Sequence, residues 1–335
     1  MHQINHAARP ATWMVDIIPA LKNLPDWLPG TGFKEIARRY TKTTTAVYDI
    51  PFDFVADRIL SCSQDRPSYV SAMLGQYKRD SKDKFILTRA EEDAIKGTAG
   101  TMYGGGADTT VSTLTSFVLA MVLNPDVQKK AQAEIDRVVG TDRLPNFEDQ
   151  PQLPYVNAII KEATRWLPVI PMGIGHVTSE DVTCNGFRIP KGAFLLPAVW
   201  WFLHNPETYP DPEAFDPERY IEPRNEPDPA IHAFGYGRRV CPGRYMAADN
   251  LFITVSRLLA VFDIGKAFDE KGNELEAKLE PVPGVLTYPK EFPYSIEPRS
   301  KKHADMIWKV ETEHPWVKGD GSALDLDTIH ALVNE

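Results

Sequence analysis

The sequence has few cysteines, no excess of positive charge and no long apolar run. Its three cysteines (Cys62, Cys184 and Cys241) are a sparse, odd-numbered set, which argues against a disulfide framework and indicates a reducing compartment. The net charge of −9 removes the case for a nucleic-acid-binding protein, whose domains are usually basic. The longest apolar run, 117–123, is far shorter than the ~20 residues of a membrane span. The first residues also lack the basic start and apolar core of a signal peptide, so these features alone predict a soluble chain.

The composition nevertheless predicts a folded protein. Of the 335 residues, 43% are apolar and 10% are aromatic, which is enough to bury a large core. A chain of that length is expected to form two ordinary domains or one large one. The sequence contains no internal repeat and no low-complexity tract.

Hydrophobic periodicity predicts a mainly α-helical fold with small β-sheets (α+β). The expected helices cover 33–62 (broken or kinked at Pro51), 68–76, 88–123, 125–139, 155–167 and the stretch after Cys241. The other expected elements are a hairpin turning at Asn185-Gly186 within 182–187, a strand at 193–199, an irregular acidic stretch at 205–230, a strand pair at 282–296 and a separate charged tail at 300–335.

A capping box of Thr88 and Glu91 marks the start of the longest predicted helix, which runs to Leu123. A helix of that length spans ~50 Å. Its interior contains three consecutive glycines, 104–106, each costing roughly 1 kcal/mol relative to alanine. Either another backbone packs closely on these glycines, or the helix opens there to admit a ligand.

Residues 10–32 are rich in proline and in apolar side chains such as Trp13, Ile17 and Trp27. One interpretation is a loop packed on the core. The other is a mobile flap over a pocket, or a patch that contacts a membrane. Exposed tryptophan and isoleucine side chains would favour this second interpretation.

The stretch 234–243 places Cys241 in a glycine-rich loop, with two arginines shortly before it and Pro242 directly after it. Because proline is tolerated at the first helical position, Cys241 is expected to be the N-cap of the following helix. A thiolate there would face unpaired backbone N–H groups and the positive end of the helix dipole. The pattern predicts a soft metal held by one thiolate. The glycines that would let a flat partner reach the sulfur are Gly235, Gly237 and Gly243.

The pattern Phe-x-x-Gly-x-Arg-x-Cys-x-Gly in this stretch resembles the haem-binding signature of the cytochrome P-450 superfamily, the haem-thiolate monooxygenases. The resemblance implies haem b with the Cys241 thiolate as its axial ligand and iron-binding group, a ligation that favours O–O cleavage. It assigns Arg239 to a haem propionate and Phe234 to the wall on the sulfur side. His176 lies where the family often has a propionate partner, and a satisfied histidine at a strand end is the alternative. The implied cofactor-binding residues are Phe234, Gly235, Gly237, Arg239, Cys241, Gly243, His176, Gly105 and Gly106.

Glu162 and Arg165 form a Glu-x-x-Arg pair, which by itself is common on solvated helix faces. In the family that the cysteine stretch resembles, this pair joins an arginine from a Pro-x-Arg-Phe-like element. Here that element is Pro217-Glu-Arg-Tyr220, with tyrosine where phenylalanine is frequent. The resemblance therefore implies a structural triad of Glu162, Arg165 and Arg219 that supports the cysteine loop.

Asp108 and Thr109 follow the three glycines of the long helix. Taken alone they are an ordinary polar pair, but Gly105-Gly-Ala-Asp-Thr109 resembles the family's oxygen-activation motif. The resemblance implies that Asp108 and Thr109 carry catalysis. Thr109 would hold a water or the distal oxygen, and Asp108 would feed protons inward, which is general acid work through solvent.

Together these motifs resemble an enzyme that inserts one oxygen atom from O2 into an apolar organic substrate. The resemblance implies electrons from NADPH through an NADPH-cytochrome reductase and a place on the cytosolic face of the endoplasmic reticulum membrane, which residues 10–32 would contact. Within the family, the sequence resembles the fungal microsomal members that oxidise secondary metabolites. The substrate contacts implied are Met102–Ala107, Val169–Ile174, 10–35 and Gly284-Val-Leu286, which suit a hydrophobic substrate.

The resemblance runs in register from about Ala11 to Ile307, which predicts a partial domain at 1–307 and a tail of unassigned role at 308–335. Complete members are considerably longer at the N-terminus. There they carry a membrane anchor, early strands and a helix that contacts the haem. We therefore expect a fragment or a truncated gene product. Without the anchor, such a chain is expected to be cytoplasmic.

Two alternatives stay open at this point. The first is a haem-thiolate enzyme that rearranges peroxides or reduces another small molecule, against which the Asp108-Thr109 pair argues. The second is a truncated, non-catalytic family member with weak or no haem binding.

Overall fold

A computed structural model describes residues 2–8, 12–61, 67–80, 85–317 and 319. The chain divides into two units, the first reaching to Ala107 and the second comprising Asp108–Trp316. The boundary falls inside the 35-residue helix Arg89–Leu123. Parts of three predicted segments lie outside the described residues: 10–11 of the flap, Cys62 of the first long helix, and most of the tail beyond 317.

The first unit is helical. Its elements are α1 (His2–Ala7), α2 (Met14–Ile17), a 3₁₀ helix (Pro19–Asn23), α3 (Gly32–Ser61), α4 (Tyr69–Leu74) and the N-terminal part of α5 (Arg89–Leu123). Helix α3 continues through Pro51, so of the two predicted alternatives the break is wrong and the kink stays a prediction. The lost backbone hydrogen bond is compensated by packing, because Phe52 is buried in a small core with Val70, Leu74 and Ile95.

Helix α5 begins at the predicted capping box. Glu91 donates its backbone N–H to the Thr88 hydroxyl at 3.3 Å, and its carboxylate accepts the Thr88 backbone N–H at 2.7 Å. The helix is regular through 104–106, where an added Cβ would meet nothing within 4 Å among the described residues. Among the described residues no backbone therefore packs closely on Gly104 or Gly106, and the alternative of a helix that opens for a ligand stays a prediction. The close approach lies at Gly100 instead, whose added Cβ would come within 2.0 Å of the Tyr48 ring.

The second unit contains the C-terminal part of α5, six further helices and a 3₁₀ turn at Pro217–Tyr220 among its described elements. The helices are α6 (Pro125–Val138), α7 (Pro154–Trp166), α8 (Val199–His204), α9 (Ala230–Ala233), α10 (Arg244–Val261) and α11 (Lys301–Glu313). Further short 3₁₀ turns lie at Phe147–Gln152 and Gly237–Arg239. These elements agree with the predicted mainly α-helical class.

Three two-stranded antiparallel sheets complete the unit. They pair β1 (His176–Val177) with β4 (Phe194–Leu195), β2 (Val182–Cys184) with β3 (Phe187–Ile189), and β5 (Phe262–Gly265) with β6 (Ser295–Pro298). The turn between β2 and β3 is the predicted one: Asn185 and Gly186 have φ values of 49° and 81°, as a tight hairpin requires.

The main core lies where α5, α6, α7 and α10 pack together. Its fully buried members include Phe117, Met121, Ile135, Ile159, Phe252 and Leu259. Helix α7 has no capping side chain of its own, but the buried carboxylate of Glu134 on α6 accepts the backbone N–H groups of Tyr155 and Val156, each at 3.0 Å. This contact fixes the helix that carries Glu162 to the core.

One polar contact lies beside the third sheet. The Gln128 side chain accepts the backbone N–H of Ile264 at 2.8 Å and donates to the carbonyl of the same residue at 2.8 Å. Since both partners are buried, the amide satisfies two backbone groups of β5 that would otherwise be unpaired.

Two strand predictions are corrected. The strand expected at 193–199 ends at Leu195, because Pro197 interrupts the ladder, and α8 begins at Val199. In place of the pair expected at 282–296, the structure has one isolated bridge between Pro281 and Pro289, and the end of that range belongs to β6, which pairs with β5. Since proline has no N–H to donate, the four prolines of 281–293 prevent a longer ladder.

The predicted separate tail is partly helix α11, which packs on the core. Met306 and Ile307 contact the main cluster, and Lys302 pairs with Asp142 at 2.7 Å. Arg299, just before the helix, pairs with Asp136 of α6 at 2.5 Å. Residues 301–313 therefore belong to the second unit, and α11 continues across residue 307.

Among the described residues, α5 is the one helix whose length and composition would suffice to cross a membrane. Its most apolar 18-residue window has a mean hydropathy of 1.3, and 44% of that window is buried within the protein. Buried core helices of soluble proteins meet the same criterion, so the finding is weak evidence for a span.

Candidate functional site

The predicted triad comes together at full burial. Glu162, Arg165 and Arg219 each have 0% relative exposure. The Glu162 carboxylate accepts Nε and Nη2 of Arg165, both at 2.8 Å, and Nε of Arg219 at 3.2 Å. Buried ions of this kind are stable only when paired and hydrogen-bonded, and here both conditions hold.

The two arginines tie distant backbone segments together. Arg165 donates to the carbonyls of Leu203 at 3.0 Å and Ala214 at 3.1 Å. Arg219 donates to the carbonyl of Asp211 at 2.6 Å. Regular secondary structure is sparse in the stretch after α8. These hydrogen bonds from the two arginines therefore hold that stretch in place against α7.

Tyr220 also belongs to this cluster. Its hydroxyl donates to Glu162 Oε2 at 3.2 Å. Burial, followed by the nearby Glu162 charge, raises the pKa of Tyr220 above its ordinary value, so the phenol keeps the proton that it donates. Burial alone would lower the pKa of Arg165, but its hydrogen bonds to Glu162 raise it, and the guanidinium stays charged. The sequence identified Tyr220 only as a departure from phenylalanine.

A chain of contacts leads from α7 to the cysteine loop. Lys161 pairs with Asp228 at 2.8 Å, and Asp228 accepts the backbone N–H of Ala230 at 2.9 Å at the start of α9. Helix α9 ends directly before Phe234, whose carbonyl accepts the Cys241 backbone N–H at 2.8 Å. The triad and the cysteine loop are thus neighbours along this short segment.

Cys241 itself is half-buried and is not the N-cap of the following helix. Helix α10 begins at Arg244 with Gly243 as its N-cap, so the predicted capping role is wrong. The reason is an additional turn: the Arg244 N–H contacts the Cys241 carbonyl at 3.4 Å, which places the cysteine ahead of the helix. Proximity to the helix N-terminus remains, because only two residues separate the cysteine from Arg244.

The loop residues fit a flat, thiolate-bound group. Gly235 and Gly237 have φ values of 77° and 55°, which other residues rarely adopt, and an added Cβ at Gly237 would meet nothing within 4 Å. An added Cβ at Gly243 would lie 3.9 Å from the Cys241 sulfur. Arg239 is exposed, and no ion pair joins its guanidinium to a carboxylate among the described residues. A thiol, bare backbone and an unpaired cation are the groups that haem binding requires.

The other predicted site residues lie apart in the chain. Asp108 and Thr109 are half-buried on α5, one residue after the exposed Gly105 and Gly106. His176 is exposed on β1, opposite Leu195. Their positions relative to the Cys241 sulfur stay predictions, and so do their roles.

Two of the predicted substrate segments, Val169–Ile174 and Gly284-Val-Leu286, each contribute a residue to one cleft of the second unit. Thr287 connects them, because its N–H donates to the Val169 carbonyl at 2.8 Å. The cleft has a volume of about 300 Å³, near the lower limit for small-molecule pockets. Its lining is mainly apolar and consists of Leu167, Pro168, Pro171, Trp200, Pro281, Val282, Pro283, Gly284 and Thr287.

Comparison with known proteins identifies the family. The cytochrome P-450 family model matches residues 5–295, which is most of the chain. The chain belongs to the cytochrome P-450 family. The cytochrome P-450 monooxygenase CLM2 of Gibberella zeae is 51% identical over 321 residues, a match that covers 96% of this chain and 60% of that protein.

Other members give the same picture. The multifunctional cytochrome P-450 monooxygenase af510 of Aspergillus fumigatus is 48% identical, over 93% of this chain and 58% of that protein. The O-methylsterigmatocystin oxidoreductase of Aspergillus flavus is 37% identical, over 96% of this chain and 59% of that protein. A zebrafish cytochrome P-450 structure with progesterone superimposes with a TM-score of 0.62 at 28% identity, over 76% of this chain and 57% of that one. The P-450 chain described here thus spans about 60% of the length of the curated relatives it matches.

Proposed function

We propose that this chain provides the haem-binding part of a monooxygenase that inserts one oxygen atom from O2 into an apolar organic substrate. The observation that carries the proposal is the fully buried Glu162 cluster beside a glycine-framed, half-buried Cys241. Bound haem with a thiolate ligand supplies oxygen activation. The protein's own residues supply binding, orientation and protons.

Cys241 would hold the iron through its thiolate. Arg239, exposed and joined by no ion pair to a carboxylate among the described residues, would pair with a propionate, which a guanidinium binds well. The side chain of Phe234, half-buried at the start of the loop, would keep water away from the sulfur. His176, Gly105 and Gly106 complete the proposed set of haem contacts.

Asp108 and Thr109 would handle protons for the oxygen chemistry that bound haem supplies. The Thr109 hydroxyl would orient a water molecule, and Asp108 would pass protons to it from solvent. Asp108 is half-buried, so its carboxylate can contact both solvent and the interior. Gly104 and Gly106 leave room for a ligand beside the helix, since an added Cβ at either would meet nothing within 4 Å among the described residues.

The substrate would be an apolar small molecule, and the electron donor an NADPH-cytochrome reductase. Three fungal relatives are named as monooxygenases or oxidoreductases, which supports a role in secondary metabolism. In the first unit, Trp27 is 80% exposed and Ile17 is 64% exposed. These side chains support contact with a membrane, for which the cytosolic face of the endoplasmic reticulum is the proposed place.

A carbon monoxide spectrum tests the proposal. The full chain is expressed with haem supplied, reduced and exposed to carbon monoxide, and the Soret band is recorded. A red-shifted band typical of thiolate ligation is expected, and Cys241→Ala should abolish it. The exposed Cys184 provides the matched control, since Cys184→Ala should leave the band unchanged. Absence of haem uptake by the unaltered chain would contradict the proposal.

A further inference from the structure

The buried cluster holds more positive charge than Glu162 can neutralise. Arg165 and Arg219 are both fully buried, and both donate to the single carboxylate of Glu162. That carboxylate also accepts the Asp216 backbone N–H at 2.9 Å and the Tyr220 hydroxyl, so its hydrogen-bonding capacity is filled. A second carboxylate is therefore required, because an uncompensated buried charge is strongly unfavourable.

Glu226 meets that requirement. Its Oε2 lies 3.2 Å from Nη1 of Arg219, and its side chain is only 10% exposed. Its other oxygen accepts from Arg224. Arg224 is itself paired with Asp216 at 2.6 Å, so Glu226 is left to balance Arg219. With Glu226 included, the three arginines face three carboxylates, and the cluster is neutral.

Glu226 also lies on the segment that leads to the cysteine. Its backbone N–H donates to the Arg219 carbonyl at 2.8 Å, so side chain and backbone fix it to the same residue. The next carbonyl, that of Pro227, accepts the hydroxyl of the buried Tyr209 at 3.0 Å. The Asp228 side chain then accepts the Ala230 backbone N–H at the start of α9, which ends directly before Phe234. Seven residues thus separate Glu226 from the loop that carries Cys241.

We propose that Glu226 is the counter-ion that completes the buried cluster and is a positioning residue for the cysteine loop. Loss of its charge would leave Arg219 unbalanced and release the segment 226–234. The loop would then lose the hydrogen bond between the Cys241 N–H and the Phe234 carbonyl. The consequence for iron ligation rests on the proposed function, but the order of the loop does not.

Hydrogen exchange on the full chain without haem tests the structural part. Glu226→Gln keeps the shape of the side chain and removes its charge. At least a tenfold faster exchange is expected for the amides of α9 and Cys241, with α6 unchanged. Glu207→Gln removes the same charge from an exposed residue of the same irregular stretch, and wild-type exchange is expected. Unchanged exchange in E226Q, or an equal increase in α6, would overturn the positioning role.

The second part of the test measures haem loading and includes the conservative variant Glu226→Asp. With haem and carbon monoxide, E226Q should give a smaller fraction of the thiolate-type band than wild type, and Glu226→Asp should restore it. If E226Q fails to fold, E226D decides: a folded E226D supports the charge requirement, and an unfolded one overturns it. Absence of haem uptake by the wild-type chain would count against the proposed function alone, because the exchange experiment needs no haem.

Discussion

Ser112 donates its hydroxyl to the backbone carbonyl of Thr287 at 2.6 Å, across 175 residues of sequence. Both residues are buried. Ser112 lies on α5 one turn after Thr109, and Thr287 follows the turn 284–286. This one bond therefore joins the proposed proton-handling helix to one of the proposed substrate segments.

Replacement of Ser112 by alanine should leave the Thr287 carbonyl buried without this donor. The free energy of unfolding should fall by about 1–3 kcal/mol, the usual cost of an unsatisfied buried polar group. Denaturant unfolding measures the loss. Thr115→Ala is the control, because its hydroxyl only returns to the Val111 carbonyl of its own helix. Equal effects of the two substitutions would mean that the long-range bond contributes little.

The glycines of α5 should differ sharply in their response to alanine. At Gly100 an added Cβ would come within 2.2 Å of two Tyr48 ring atoms, so Gly100→Ala should destabilise the first unit by about 1–3 kcal/mol. At Gly104 an added Cβ would meet none of the described residues within 4 Å, so Gly104→Ala should stabilise the helix by ~1 kcal/mol. Thermal unfolding of both variants measures the contrast. A neutral Gly100→Ala would show that α3 and α5 are not in close contact there.

Substitutions at different members of the buried cluster should lower the free energy of unfolding by different amounts. Glu162→Gln leaves two buried arginines short of a carboxylate and should cost about 3–5 kcal/mol of folding free energy. Tyr220→Phe removes one neutral donor and should cost only ~1 kcal/mol. Tyr245→Phe, at an exposed tyrosine, should have no measurable effect. A Tyr220→Phe variant as unstable as Glu162→Gln would contradict this ranking.

Acid should weaken the ion pair between Asp149 and Arg143, which lies in the connection before α7. The hydrogen bonds from Arg143 hold the pKa of this buried carboxyl below its usual value, against the opposing effect of burial. Its stabilising contribution is therefore complete above the unfolded pKa of about 4 and is lost as the pH falls through the lower folded pKa. Asp149→Asn should lower stability at neutral pH by on the order of 1 kcal/mol and flatten the acid limb of the stability profile. The exposed neighbour Glu148 serves as the control: Glu148→Gln should keep the wild-type profile.

Thr109→Ala tests the proposed proton pathway. If the chain binds haem and accepts electrons, the variant should consume NADPH with less product and release more peroxide. Product formed per NADPH is the measurement, and Thr115→Ala on the same helix is the control. Unchanged coupling would remove Thr109 from the mechanism.

The cluster around Glu162 was largely predictable, because Glu-x-x-Arg and the later arginine are recognisable in the sequence. The helices with clear caps were equally predictable, as Thr88 and Glu91 demonstrate at the start of α5. Glu226 gave no such signal. Its role depends on a charge balance among residues that come together only in three dimensions, and one acidic residue among many in 205–230 does not stand out.

The errors at Cys241 and Pro51 have a common cause. Each prediction treated a proline as deciding the local backbone on its own, but packing kept the helix intact at Pro51, and one more turn preceded the helix after Cys241. The error at 193–199 is the opposite one, because the predicted strand ran through Pro197 and the observed strand ends before it. Proline restricts φ and removes a donor, but neighbouring contacts decide which of the remaining conformations is adopted.

The bonds between the Gln128 amide and Ile264 have a consequence for solubility. A short apolar strand with a free edge offers its N–H and C=O groups to any other extended chain, which is how ordered aggregates begin. On β5 a side-chain amide already occupies both groups of Ile264, as a strand from a neighbouring molecule would. One glutamine from α6 thus closes this position of the sheet to intermolecular pairing.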